Sequence, residues 1–370
     1  MRRFALACCG LALGALMCEL LLRAALFGGH AAAWRMRRPG LYAHPQASED
    51  YFLLQHRFGS AQPVPEPLYH PALGWVSEAL ATGDVERSVH RDLRALAGAV
   101  GRRPVLLYGD SYAHGTTPRG ERIEDFFAAV DEAGEFALLN HGVQGYGLDQ
   151  IVLLLEATLD HALSELGPAA RPIVVLGVYV DDDLDRCALG LRGWPKPWFE
   201  RAESGLELCG VPVPSLAEFR ARRPLAIRSY LLRRFTHEAA LWPAGWHQRW
   251  TGLTALQSRK EALVAPLVRR FVEHARARSV EVLALVFEGE SRTQSDSARD
   301  WRDAALDAAL DACDLRVMRS GAALRTAAAA GGASIHDCFG RSGPTLEHFN
   351  AEGNRAVAAA LLAELRGLTD

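Results

Sequence analysis

The sequence is almost without lysine. Of its 370 residues only Lys196 and Lys260 are lysines, so nearly all of the 41 basic residues are arginine. That imbalance is a bias of composition and carries no chemistry of its own. There is no excess of either charge: the formal net charge of −3 at pH 7 leaves no basic footprint for nucleic acid. Cysteine is sparse, and its seven copies include no close pair at metal-ligand spacing in the body of the chain, where Cys187, Cys209, Cys313 and Cys338 lie far apart. A zinc site is thereby disfavoured. In an exported body these four would allow one or two disulfides, which spacing does not assign. No internal repeat or low-complexity linker stands out beyond an Ala-rich stretch at 323–330. What remains is ordinary for a globular chain, 49% hydrophobic and 23% charged, long enough for one large domain or two small ones.

The amino terminus departs from that average. Residues 1–27, "MRRFALACCGLALGALMCELLLRAALF", open on Arg2 and Arg3 and continue through fifteen uncharged residues from Phe4 to Cys18. Glu19 and Arg23 follow at i,i+4 spacing and can pair on a helix. The stretch suits a bilayer span, which needs ~20 residues. A cleaved signal peptide is the rival reading, since "HAAAW" offers an Ala-x-Ala site ending at Ala33. Glu19 and Arg23 fit the end of an anchor helix better than the inside of a signal peptide, so an uncleaved anchor is expected. Arg35, Arg37 and Arg38 compete with Arg2 and Arg3 in the positive-inside count, so orientation stays open.

An irregular lead-in over 28–100 precedes a regular alternation. Strands are expected at 104–108, 136–140, 172–180, 280–287 and 333–338. Helical patterns fall at about 121–133, 147–165, 257–277, 295–312 and 319–330, with a last one at 351–367 behind the N-cap residue Asn350. Continuous apolar strands separated by helices predict an α/β fold over 101–370, a parallel sheet of about five strands covered on both faces. In such sheets ligands bind beyond the carboxyl ends of the strands, where strand order reverses. The segment 187–255 breaks the alternation and holds five of the eight tryptophans; it is expected as an insertion. Trp242, Trp246 and Trp250 read as packing residues of that insertion, ahead of sugar stacking or membrane contact.

The first strand runs into "PVLLYGDSYAHG" and stops abruptly at Gly109. Gly-Asp-Ser alone is common turn chemistry. At the carboxyl end of a central strand it also exposes a hydroxyl, that of Ser111. A serine hydroxyl is a poor nucleophile until a base takes its proton, and His348, in the loop before the last helix, is the candidate base. Acyl transfer further needs donors aimed at the developing oxyanion; the amides of Ser111 and of Gly145, in "NHGVQGYGLDQ", are the candidates. Supporting positions near the mouth are His114, His141 and Asp149.

These blocks resemble the SGNH (GDSL-like) hydrolases. "GDS" at 109–111 is similar to that family's first block, "NHGVQGYGLDQ" at 140–150 to its second, with Gly145 as the block glycine, and "HFNAEGNRAVAAAL" at 348–361 to its last. The anchor ending in "ELLLR", "LYHPALGW" at 68–75 and "KPWFE" at 196–200 resemble membrane-anchored members found with cell-surface polysaccharide genes. The resemblance implies a flavodoxin-like α/β/α sandwich and ester hydrolysis or O-acyl transfer with no cofactor or metal. It also implies an acyl ester or acylated polysaccharide as substrate, and a periplasm-facing body held to the membrane.

Two positions differ from the family pattern. The third-block asparagine, an oxyanion donor, is matched by Asp182 in "VYVDDDLDRC", which can donate only if protonated; crowding by Asp181 and Asp183 favours protonation of one carboxyl. The aspartate three residues before the histidine is matched by Thr345, leaving a backbone carbonyl, Asp337, Glu347 or no group at all to orient His348. The expectation is a serine esterase or O-acyltransferase. The alternative is an SGNH-like pseudoenzyme that binds glycan or a membrane acyltransferase partner. A phosphoesterase using the three aspartates lacks the remaining ligands.

Overall fold

Five strands form one parallel sheet: β1 (Arg103–Gly109), β2 (Phe136–Gly142), β3 (Ile173–Tyr179), β4 (Glu281–Phe287) and β5 (Arg316–Arg319). Their spatial order is β2-β1-β3-β4-β5, and every neighbouring pair is parallel. This is the flavodoxin-like doubly wound order, in which the chain changes direction between β1 and β3 and opens a crevice at their carboxyl ends. The computed structural model describes residues 1–29, 31–60, 68–76, 101–203, 205–341 and 347–368. Residues 61–67 and 77–100 of the expected lead-in, and Thr345, lie outside the described residues.

Each strand is apolar on both sides because each side meets helices. Val105, Leu107, Ile173, Val175, Leu283 and Leu285 share one core with Ile123 and Phe127 of α3 (Ile123–Val130), Leu324 of α7 (Ser320–Gly331), and Val357, Leu361 and Leu365 of α8 (Ala351–Arg366). The alternate residues Leu106, Tyr108, Val174, Leu176, Ala284 and Val286 are equally buried. On that side the Tyr108 hydroxyl lies 3.0 Å from Thr158 of α4 (Leu148–Leu166). Its ring meets Phe271 of α5 (Leu253–Arg276) edge-on at 6.2 Å. Period-two burial on both faces gives the three layers, and each fully buried Leu or Val contributes roughly 1.5–3 kcal/mol. Asn350 caps α8, its side chain accepting from the amides of Glu352 and Gly353.

Four strands form at the expected apolar runs. The fifth does not: 333–338 is no strand but a 3-10 turn, Ile335–Cys338. Ser334 and Asp337 form a reciprocal capping box around it, and that local satisfaction winds the backbone where its alternating pattern suggested extension. The edge strand is instead the four-residue "RVMR" at Arg316–Arg319, too short and too charged to announce itself as an apolar run. It is followed directly by α7, which the sequence placed correctly. The predicted helix at 295–312 is a 3-10 turn at Asp296–Ala298 followed by α6 (Trp301–Ala312), started by an Asp300–Asp303 capping box.

The chain divides into two units. The sheet unit comprises Pro65–Ala188, Pro197–Val213 and Lys260–Asp370. The other comprises Met1–Val64, Leu189–Lys196 and Pro214–Arg259, so the segment 187–255 contributes to both. This second unit carries α1 (Arg2–Phe27), whose uncharged residues from Phe4 to Cys18 are exposed, and a small core of Leu26, Tyr42, Leu54, Ile227 and Tyr230. With a mean hydropathy of 2.2, α1 is long and apolar enough to cross a bilayer, a length and composition that suit a signal sequence equally.

Candidate active site

Gly109 ends β1, and the chain turns at once into the short helix α2 (Ser111–His114). A Cβ on Gly109 would lie 2.7 Å from the Cβ of Ala113 and 3.2 Å from the carbonyl oxygen of Gly177, so only glycine lets the strand fold back this tightly. Asp110 caps α2, one carboxylate oxygen accepting from the Tyr112 amide at 2.8 Å. Ser111 is thereby the first residue of the helix, at the carboxyl end of a central strand and beside the crevice. Asn140 of β2 fixes the far end of the turn, donating to the Ala113 carbonyl at 2.5 Å and to Glu124 at 2.8 Å.

His348 reaches the same point from the other end of the sequence. Its Nε2 lies 3.0 Å from Ser111 Oγ. An antiparallel bridge between Phe339 and Phe349 sets the loop, and the His348 carbonyl accepts from the Gly340 amide at 2.8 Å. The His348 ring rests at a 30° tilt on the ring of Tyr112, with centroids 4.9 Å apart. Glu347 has φ of +65°, a conformation that costs a non-glycine residue roughly 1–2 kcal/mol, and the Tyr112 hydroxyl donates to its carbonyl at 2.6 Å. Burial pushes the Tyr112 phenol well above its ordinary pKa, which keeps it a donor.

The Ser111 hydroxyl has a second neighbour, Asp110 Oδ2, also at 3.0 Å. A hydroxyl carries one proton, so Asp110 and His348 Nε2 compete for it. Proton transfer to His348 would require the hydroxyl to turn away from Asp110.

Gly145 is held from both sides. The Gln144 carbonyl accepts from Trp75 Nε1 at 2.9 Å. The Tyr146 carbonyl accepts from Arg186 Nη1 at 2.8 Å, and the Tyr146 hydroxyl donates to the Trp75 carbonyl.

The expectation for Asp182 is altered by Arg186, a residue the sequence reading passed over. Arg186 Nη2 pairs with the Asp182 carboxylate, and a carboxylate bound to a guanidinium accepts hydrogen bonds and does not donate them. The same guanidinium contacts Asp110 and Asp183, each at 3.2 Å. Arg186 is only 7% exposed. Burial opposes its charge, but Asp182, Asp183 and Asp110 outweigh burial and raise its pKa. The raised carboxyl of the aspartate run is Asp183: burial, then the nearby Asp110 charge, push it well above the usual range, while its other oxygen accepts from the Tyr179 amide at 2.8 Å. A Cβ on Gly147 would lie 2.6 Å from the Cβ of Arg186, so the second glycine-rich block is shaped to admit this side chain. The i,i+3 and i,i+4 spacing of Asp183 and Asp182 to Arg186 in "DDDLDRC" is the signal that could have found it.

Of the two carboxylates considered for orienting His348, that of Asp337 is engaged in its own turn. Asp337 is exposed, and its carboxylate accepts from the Ser334 amide at 3.0 Å in the capping box. The Glu347 side chain is exposed; its carbonyl accepts from the Tyr112 hydroxyl and its amide donates to the Gly340 carbonyl at 3.3 Å. His114 Nδ1 lies 3.1 Å from the Gly142 carbonyl, His141 stacks on Tyr108 with centroids 4.7 Å apart, and Asp149 is buried at the start of α4. Among the described residues no group of three His, Cys, Asp or Glu side chains is placed to hold a metal ion.

No family profile matches the chain, and no curated protein matches it. Among solved structures it is similar to a member of the lipolytic protein G-D-S-L family from Veillonella parvula DSM 2008, at 14% identity and a TM-score of 0.38, over 71% of this chain and 98% of that one. Two further crystal structures, each covered over 98% of their length, match 72% of this chain at 12% and 11% identity, with TM-scores of 0.36 and 0.31.

Proposed function

We propose that the protein is a membrane-anchored serine esterase or O-acyltransferase with an extracytoplasmic, periplasm-facing body. Its substrates are acyl esters, with acetyl groups on a cell-surface polysaccharide as the class the family resemblance suggests. The observation that carries the reading is the 3.0 Å approach of His348 Nε2 to Ser111 Oγ, at the crevice where a doubly wound sheet binds ligands.

In this reading Ser111 Oγ attacks the acyl carbonyl while its proton passes to His348 Nε2. The amides of Ser111 and Gly145 hold the tetrahedral oxyanion. The intermediate collapses to an acyl-serine as His348 returns the proton to the departing alcohol oxygen. Water or an acceptor hydroxyl then attacks the acyl-serine, giving up its proton to His348, and Ser111 is released as His348 passes that proton back to Oγ. Asp182 supplies no donor while it is paired with Arg186, so two amides carry the charge.

That ion pair is the observation in favour of the second reading, a pseudoenzyme that binds glycan or docks on a membrane acyltransferase. Turnover of p-nitrophenyl acetate by the full chain in detergent separates the two. The esterase reading expects hydrolysis that falls by on the order of 10⁴-fold in Ser111→Ala and in His348→Ala. Hydrolysis equal in wild type and Ser111→Ala removes it in favour of the binding reading.

A further inference from the structure

The second unit carries an aromatic surface that the catalytic reading does not use. Leu232, Phe235 and Trp246 are each more than half exposed, at 61%, 51% and 58%. They belong to two short helices, Tyr230–Thr236 and Ala244–Thr251. Ring contacts make the surface continuous: Phe235 meets Trp242 at 5.0 Å, Trp242 meets Trp250 at 4.1 Å, and Trp246 meets Trp250 at 5.6 Å. Isolated exposed apolar residues are normal, but a connected aromatic patch marks an interaction site.

What covers this patch follows from how it is attached. Glu19 of α1 accepts from the Tyr230 amide at 3.0 Å, the Leu231 amide at 2.8 Å and the Ser229 hydroxyl at 2.9 Å. Arg23 donates to Glu19 at 2.6 Å and to the Arg228 carbonyl at 2.6 Å, and Phe27 packs edge-on against Tyr230 at 5.3 Å. The helix Tyr230–Thr236 is therefore latched to α1 at the level of Glu19. From Arg3 to Glu19 α1 rises roughly 24 Å at about 1.5 Å per residue. That distance is close to the ~27–30 Å of a bilayer's hydrocarbon. With Arg2 and Arg3 at one boundary, Glu19 and the helix latched to it stand at the other. Trp and Arg are the residues favoured at that depth, and Arg228 and Arg249 are exposed on the same segment, suited to lipid phosphates.

We propose that the surface of Leu231, Leu232, Phe235, Leu241, Trp246 and Trp250 lies in the headgroup boundary of the bilayer that α1 enters. This rests on reading α1 as a membrane helix. The patch then adds an interfacial contact to the span, and the Glu19 latch fixes the depth at which the segment 229–251 meets the lipid. It also revises the reading of Trp246 and Trp250 as packing residues of an insertion: their exposed faces are lipid contacts.

The test uses the full chain in phosphatidylethanolamine–phosphatidylglycerol bilayers doped with a diazirine-acyl phosphatidylcholine. After irradiation, lipid adducts are mapped by peptide mass spectrometry. The proposal expects adducts in 1–27 and in 229–251. A Leu232→Asp, Phe235→Asp, Trp246→Asp variant, altered only at exposed positions, should lose the second set and keep the first. Adducts confined to 1–27 would overturn the docking surface and leave the anchor standing. Absence of adducts from 1–27 would overturn both.

Discussion

Tyr112 and Glu347, 235 positions apart in the chain, share a hydrogen bond of 2.6 Å from phenol to carbonyl. The turn that carries Ser111 thus also holds the loop that carries His348. Tyr112 stands one residue after the serine, Glu347 one residue before the histidine, and the Tyr112 ring supports the imidazole from below at 4.9 Å. One side chain thus ties together the proposed nucleophile and the proposed base.

Tyr112→Phe keeps the ring and removes the hydroxyl. The expected result is a drop in kcat of about 10-fold with KM little changed, since the lost bond orients the base and touches no substrate. Stability should fall by about 1 kcal/mol. Steady-state kinetics on an activated ester decides this, and an unchanged kcat would show that the loop needs no such tie.

Asp182→Asn replaces an acceptor by a donor at the position where the family resemblance places an oxyanion contact. An oxyanion donor is worth about 10²–10³ in rate. The substitution is expected to raise kcat by roughly 10-fold or more. The ion pair it removes has a buried guanidinium, so thermal unfolding is measured beside the kinetics; Asp183 and Asp110 remain within 3.2 Å to hold Arg186. A slower variant would mean that Asp182 acts by holding Arg186 and not by facing the oxyanion.

The sequence carried the strand that feeds Ser111, the glycine turn, the loop of Gly145 and the helix behind His348, because each rests on local chemistry: apolar runs, φ-permissive residues and an N-cap. It missed the edge strand at 316–319, where four residues with arginine at both ends pair only because β4 lies beside them. It mistook 333–338 for a strand because alternation cannot reveal that Ser334 and Asp337 close a capping box. Arg186 was hidden for another reason. Its partners Asp182 and Asp183 are near in sequence, but Asp110 and the Tyr146 carbonyl are brought to it only by the fold.

Gly147→Ala tests whether Arg186 needs the space beside the second block. The added methyl would lie 2.6 Å from Arg186 Cβ, and overpacking of this kind costs roughly 1–3 kcal/mol. A lowered Tm is expected, together with slower acylation, because Arg186 also holds Asp110 and the Tyr146 carbonyl. Thermal unfolding and single-turnover kinetics measure the two effects. An unchanged Tm would contradict the close packing described for this site.

His141 predicts an acid limb in stability. Burial lowers its pKa from 6.5 to about 4. Below pH 6.5 the unfolded chain takes up a proton that the folded chain refuses. The stability contributed by the neutral ring is therefore complete above pH 6.5 and is lost progressively as pH falls to about 4. The size is about 3 kcal/mol. His141→Phe, which keeps an aromatic ring on Tyr108, should flatten the fall in unfolding free energy across that window. Equal slopes in the two proteins would show that His141 is solvated.

The central claim is that Ser111 is an activated nucleophile with His348 as its base. Reaction of the full chain in detergent with a fluorophosphonate probe tests it most directly, beside Ser111→Ala and His348→Ala of equal Tm. The account predicts labelling at Ser111 in the wild type, none at that site in Ser111→Ala, and labelling slowed by on the order of 10³-fold or more in His348→Ala. A folded wild type that takes no label, or one labelled equally fast without His348, would contradict it.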